Sequence, residues 1–440
     1  MTVAATAAAD ARPWPAPRVA WTTTLLLTLA YVFSFVDRYI LGPLIEPIKA
    51  DLQLTDTEIG LLAGPAFALF YATMGVPIGW LVDRRRRVAI VAAGIALWSL
   101  ATAGSGLATG FAGLFLARML VGVGEATLSP AAMSIIADSF PPERRGRPVG
   151  VYSTALSIGA GLAGLITAAV LTWAAAHGDL TLPLVGALPP WGLTFMIVGL
   201  PGLLLALAFA LLPEPARRTA AGVAAGGFGD TLRHIRDHAG AFLGLAALVC
   251  VMTSIAYSHA FSAPAFQRTF GWAPRDFVFV NGLVNLAVGP LTVLAVGWAS
   301  DRWRRAGRRD AAFRLLAFGY VLMLPPSALA LVMPTPAAAF VMLGLSSAGL
   351  GAVTAAGIIA LLDITPGAIR GQVVALYYMA ISIAGLGLGP TTVGLLSTHV
   401  YGESELRLAV ASVPLIYGLV PLLLLPAIGR AYRARLAELT

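Results

Sequence analysis

Apolar stretches of roughly 20 residues, separated by short polar breaks, fill almost the whole chain, and each is long enough to cross a hydrocarbon core of roughly 30 Å as a helix. Twelve such spans are expected, at approximately 20–44, 59–82, 88–108, 111–137, 148–173, 191–212, 241–266, 276–300, 312–332, 337–361, 371–396 and 408–429. The longest polar break, PEPARRTAAGVAAGGFGDTLRHIRDHAG at 213–240, divides them six and six. The expected organisation is therefore all-α and polytopic. A flexible tail (1–19) precedes a first six-helix bundle (20–212), a linker (213–240), a second bundle (241–429) and a short tail (430–440).

Composition supports this reading. Of 440 residues, 58% are hydrophobic and 11% charged, too little polar surface for a water-soluble domain of this size. The lone cysteine, Cys250, lies in an apolar run, so no internal disulfide frames the fold. The N-terminal MTVAATAAADARPWPAP lacks the apolar core and cleavage site of a secretory signal.

The net charge of +8 is explained by placement. Of 29 basic residues, four (Lys49, Arg268, Arg275, Arg407) fall on one side of the twelve-span map and two (Arg38, Arg118) within spans. The other 23 occupy the tails, the even-numbered connections and, at Arg314, the adjoining edge of span 9, which is the positive-inside asymmetry with both termini in the cytoplasm. No nucleic-acid partner is expected. Lys49 is the only lysine; this arginine-heavy usage suggests a GC-rich bacterial genome and hence the cell inner membrane.

Two signatures recur between the halves. Gly79-Trp80-Leu81-Val82-Asp83-Arg84 matches Gly297-Trp298-Ala299-Ser300-Asp301-Arg302 at a shift of 218, and each runs on into further arginines. Asp138, Pro141, Arg145 and Gly146 match Asp363, Pro366, Arg370 and Gly371 at a shift of 225. Tyr152, Ser157 and Ile158 then align with Tyr377, Ser382 and Ile383, so the chain reads as a duplicated six-helix unit.

Gly79–Arg87 resembles the motif that the major facilitator superfamily carries between its second and third helices, and Gly297–Arg305 is its counterpart. The resemblance covers nearly the whole chain. It implies two six-helix bundles around a cavity that opens alternately to either side, with substrate bound near the bilayer midplane. Within the superfamily, VDRYILGPLIEPIKADLQLTDTEIGLLAGPAFALFY, WSLATAGSGLA and LARMLVGVGEATLSPAAMSIIADSFPPERRG, together with Asp83–Arg87, are similar to the spinster-like transporters. That similarity implies a lysophospholipid or sphingosine-phosphate substrate and, for some members, proton coupling. It also implies that Asp83, Arg84 and Arg87, with Asp138 and Arg145, lock the cytoplasmic face, as Asp301, Arg302, Asp363 and Arg370 would in the second half. A solvated charge run that serves topology alone explains the arginines but not the repeated aspartates. Monomers are the superfamily's habit.

Four charges lie within spans: Asp37 and Arg38 in span 1, Arg118 and Glu125 in span 4. Each costs about 2.5–3.5 kcal/mol at a helix centre, so each is expected to face a partner or a wet cavity. Seven residues apart, Arg118 and Glu125 fall within about 20° of one face. With span 1 ending near Leu44, Asp37 and Arg118 are expected at one depth, about 10 Å from the outer surface, and Glu125 about 10 Å deeper. Either these charges fix packing alone, or Asp37 and Glu125 are protonation sites that Arg38 and Arg118 tune, the arginines also being able to hold an anionic headgroup.

His259 in span 7 is a second titrating candidate or hydrogen-bonded packing. Asn281 and Asn285 share a face of span 8 and serve a headgroup or a neighbouring helix. Tyr71, Tyr152 and Tyr377 are cavity aromatics or lipid-interface residues. Span 5 (Gly159, Gly161, Gly164) matches the superfamily's antiporter motif only partly because it lacks the proline, whereas span 11 carries Gly389-Pro390; uniport therefore stays open.

No HExxH occurs, Gly104-Ser105-Gly106 has no histidine beside it, and GVGEAT sits mid-span without a preceding strand. Neither an enzyme nor a metal or cofactor site is expected. The expected function is secondary active transport, proton-coupled, of an amphipathic lipid-like substrate; export of drugs, sugars or other small solutes is the alternative. Membrane lipid, protons and the substrate are the expected partners.

Overall fold

The computed structural model describes residues 13–141, 144–177, 180–182, 186–217, 228–366 and 369–439. Eleven of the expected spans coincide with helices long and apolar enough to cross a bilayer, and span 5 is the helix Gly146–His177. The chain is an all-α polytopic protein. Its one sheet among the described residues is a hairpin before span 6, β1 (Leu180–Leu182) paired antiparallel with β2 (Gly186–Leu188).

Several ends move from their expected places for local reasons. Span 1 runs Pro17–Leu52 rather than ending near Leu44, because Leu44, Ile45 and Ile48 continue a buried face. It stops where Gln53 takes a left-handed φ of 54°. Thr55 and Glu58 then form a reciprocal capping box that starts span 2 at Asp56, three residues before the expected position. Span 12 continues through Glu438, so residues 430–438 are helix rather than tail. The linker contains a ten-residue helix, Phe228–Asp237; linker residues 218–227 lie outside the described residues.

Several spans are interrupted. Span 1 breaks at Ile40, span 2 at Gly64 and span 6 at Leu200. Span 4 breaks between Glu125 and Leu128. Span 7 is cut by a 3₁₀ turn at His259–Phe261 and resumes to Phe270. Span 11 contains π turns at Ile381–Leu386 and Ser397–Tyr401, on either side of Pro390.

The chain forms two compact units, one of residues 1–40 with 69–224 and one of 41–68 with 225–440. The expected boundaries kept 41–68 with the first bundle. Glycines explain why it groups with the second half. A Cβ on Gly42 would stand 2.7 Å from the Ala260 carbonyl oxygen, and one on Gly60 would stand 2.6 Å from that of Pro390. Gly394 approaches the Asp56 carbonyl in the same way. Backbones this close leave no room for side chains, so the ends of spans 1 and 2 pack on spans 7 and 11.

Candidate transport site

In the first unit, Ser34 and Arg38 sit four residues apart on one face of span 1, and both reach Glu125 of span 4. Arg38 places Nη2 2.6 Å and Nε 2.7 Å from Glu125 Oε2, and the Ser34 hydroxyl donates to the same oxygen at 2.6 Å. Three donors converge on one oxygen. The other, Oε1, is buried with no hydrogen-bond partner among the described residues. The Glu125 side chain is 0% exposed and that of Arg38 8%.

Asp37, turned about 100° from Arg38 around span 1, is also buried, and its Oδ1 likewise has no partner among the described residues. Arg118 Nη1 donates to the main-chain carbonyl of Asp37 at 3.3 Å. Arg118 thus meets the main chain of Asp37, while Arg38 pairs with Glu125, because Glu125 faces the Ser34–Arg38 side of the helix. Span 1 continues past its break at Ile40 to Leu52, so its far end lies eight residues further from Asp37 than the expected end at Leu44.

An aromatic wall adjoins the pair. The Arg38 guanidinium lies 4.9 Å from the Tyr71 ring centre and 5.2 Å from that of Phe35. Tyr31, Phe35 and Tyr39 follow at four-residue intervals, and Tyr152 stacks on Tyr31 at 4.9 Å. Gly159 of span 5 makes room for Phe35, since a Cβ there would meet the Phe35 Cβ at 2.7 Å.

The other candidates lie in the second unit, in separate surroundings. His259 Nδ1 is 3.1 Å from the Ser262 hydroxyl, inside the break of span 7. Asn285 accepts from the Ser347 hydroxyl at 2.9 Å, the cross-helix alternative, and Asn281 is half-buried. Tyr377 is buried with its ring 5.7 Å from Tyr378.

At the motif ends, Arg87 is fully buried and saturated. It forms an ion pair with Asp138, donates Nε to Glu214 at 2.7 Å, and reaches the Ser134 hydroxyl at 2.9 Å and the Pro215 carbonyl at 2.6 Å. Arg84 lies over the Trp80 ring at 4.2 Å, and Arg145 donates to the Phe140 carbonyl at 3.0 Å. The Asp83 side chain lies outside the described residues.

In the second half Arg304, one position out of register with Arg87, pairs with Asp363, which also accepts from the Tyr432 hydroxyl at 3.1 Å. Arg302 lies over Trp298 and Arg370 reaches the Thr365 carbonyl at 3.4 Å. Asp301 is exposed on its helix, and the ion pair among the described residues is the one to Asp363.

One cluster escaped the sequence reading. In the second unit Asp56, 0% exposed, accepts from Arg268 Nη1 at 2.8 Å and Nη2 at 3.0 Å, from the Ser397 hydroxyl at 2.6 Å, and from Lys49. Arg268 also binds Glu46 at 2.7 Å, and Lys49 binds Glu403 at 2.7 Å. A signal was present: Lys49 and Arg268 are two of the four basic residues on the wrong side of the positive-inside asymmetry.

Twelve spans in two sequence-related halves, with charges paired inside the first and arginine–aspartate pairs at the repeated motif, define a polytopic membrane carrier. The profile described as Major Facilitator Superfamily matches residues 27–344, and the chain belongs to that superfamily. An MFS-type efflux pump of Mycolicibacterium smegmatis is 31% identical over 388 residues, covering 87% of this chain and 85% of the pump. The crystal structure of a bacterial homolog to the human lysosomal transporter spinster, inward-facing and unoccupied, superposes with a TM-score of 0.77 at 27% identity, covering 96% of this chain and 94% of that one. Human spinster homolog 1 is 34% identical over 142 residues, 31% of this chain and 27% of that protein. The chain is a transporter of that superfamily that works by alternating access, similar in fold to the bacterial spinster homolog, and not an enzyme.

Proposed function

We propose that the chain is a proton-coupled carrier of an amphipathic, lipid-like substrate with an anionic headgroup, such as a lysophospholipid. The observation that supports this most is the Glu125 carboxylate, with three donors crowded on Oε2 and, among the described residues, none on Oε1. A proton on Oε1 neutralises the carboxylate and weakens its hold on Arg38. The guanidinium is then free to take an anionic headgroup in bidentate fashion. Tyr71 and Phe35 flank that guanidinium and suit the apolar part of an amphipathic molecule. Proton and anion are thereby linked through one arginine. Asp37, buried alongside with an unpartnered oxygen, is the second protonation site.

In the same reading, Arg87–Asp138 and Arg304–Asp363 are cytoplasmic locks, and the Asp56–Arg268–Lys49–Glu403 cluster is a lock at the opposite end. The carrier sits as a monomer in the bacterial inner membrane with both termini cytoplasmic; the basic-residue asymmetry supports that orientation. A second reading, export of drugs, sugars or other small solutes, is favoured by the efflux pump that aligns over 87% of this chain. Uptake of labelled lysophosphatidylethanolamine into proteoliposomes, with and without an imposed pH gradient, separates the two. Gradient-driven uptake supports the lipid carrier, and its absence alongside efflux of a cationic dye supports the alternative.

A further inference from the structure

The linker helix Phe228–Asp237 is fastened to the last turns of span 12 through two histidines, His234 and His238. Arg435, 7% exposed, directs Nη2 at His234 Nε2 over 3.1 Å. A guanidinium only donates, so Nε2 of His234 is the lone-pair nitrogen and this ring is neutral. His238 lies with its ring 4.6 Å away. Its Nδ1 is 3.0 Å from the His234 carbonyl, and its Nε2 is 2.9 Å from Glu438 Oε2 and 3.4 Å from Arg435 Nη1. Glu438 also accepts from Arg435 Nη1 at 2.8 Å. Arg435 Nε reaches the Ile364 carbonyl at 3.4 Å, and Thr231 of the linker helix donates to Gln372 Oε1 at 2.6 Å.

We propose that His234 is the acid-sensing member of a latch that holds the linker helix on span 12 and releases it on protonation. A proton on Nε2 removes the acceptor that Arg435 uses and sets two cations face to face. The charged groups around His234 are Arg435 and Glu438 from span 12, His238 from the start of span 7, and Asp237 from its own helix; Phe242 of span 7 packs on the ring edge-on at 5.6 Å. Burial first, and then Arg435 and His238, hold the His234 pKa below that of a free imidazole. For a lowered histidine pKa the docking contribution is complete above the free-imidazole value of about 6.5 and is lost as pH falls through the lowered one. Released, residues 228–238 lengthen the tether that joins the two halves of the chain.

The test is hydrogen exchange of residues 229–238 in the full purified chain from about pH 8 to about pH 5, corrected for intrinsic rates. The latch predicts that protection falls about tenfold across this range, while the spans keep theirs. His234→Gln, which retains an acceptor but cannot charge, keeps the helix protected at acid pH. Arg435→Gln leaves it exchanging fast throughout. A flat wild-type profile, the same acid loss in His234→Gln, or a wild-type profile in Arg435→Gln overturns the proposal. None of these readouts depends on which substrate is carried.

Discussion

Arg38 and Glu125 meet on a single carboxylate oxygen: Nη2 at 2.6 Å and Nε at 2.7 Å both address Oε2. An arginine and a carboxylate more often meet fork to fork, one nitrogen per oxygen. Among the described residues Oε1 has no donor, which in the proposed mechanism keeps a position for a proton. Glu125→Gln should abolish the response of transport to a pH gradient while leaving a residual gradient-independent exchange. Rates measured at several imposed gradients check this.

Arg87 is a different kind of arginine, buried among acceptors that it fully satisfies. Removing it leaves Asp138 and Glu214 without their cation, and breaking a buried pair in this way costs about 3–5 kcal/mol. Arg87→Ala should therefore lower the thermal unfolding temperature in detergent clearly. Arg84→Ala, at an exposed position over Trp80, should change stability by less than about 0.5 kcal/mol.

The cluster around Asp56 must come apart whenever that end of the carrier opens in the alternating cycle. Asp56→Asn keeps the size of the side chain but removes the charge that Arg268 and Lys49 share. A cysteine placed at Thr57, in a Cys250→Ser background, should then react with a water-soluble thiol reagent about tenfold faster than in the chain that retains Asp56, following an opening equilibrium shifted by about 1.4 kcal/mol. An unchanged labelling rate would show that the glycine contacts alone hold this end.

Those glycine contacts carry their own prediction. Gly60→Ala sets a methyl about 1 Å too close to the Pro390 carbonyl, and crowding of this kind costs about 1–3 kcal/mol. The same change at Gly75, where a Cβ would meet nothing within 4 Å, should be neutral or slightly stabilising. Paired melting curves of the two variants measure the difference.

The twelve spans and their duplication were legible because hydrophobic length and repeated motifs are local properties of the chain. So was an arginine partner for Asp138, which the family resemblance implied; that Arg87 is the one was not. Contacts between side chains were less so. Residues 37 and 38 stand side by side in sequence, yet only the face shared with Ser34 decides which of them meets Glu125. Nor do hydropathy patterns carry the close approaches of Gly42, Gly60 and Gly394, which regroup residues 41–68 with the second half. The capping signature at Thr55–Glu58 was readable, and it would have placed the start of span 2 correctly.

In the proposed mechanism, proton and anionic headgroup are linked through Arg38 and Glu125. Uptake of labelled lysophosphatidylethanolamine by proteoliposomes, with the pH gradient imposed, reversed or absent, tests this for the native chain beside Glu125→Gln and Arg38→Gln. Uptake should follow the gradient in the native chain, lose that dependence in Glu125→Gln and disappear in Arg38→Gln. Uptake that follows the gradient equally in all three would contradict it.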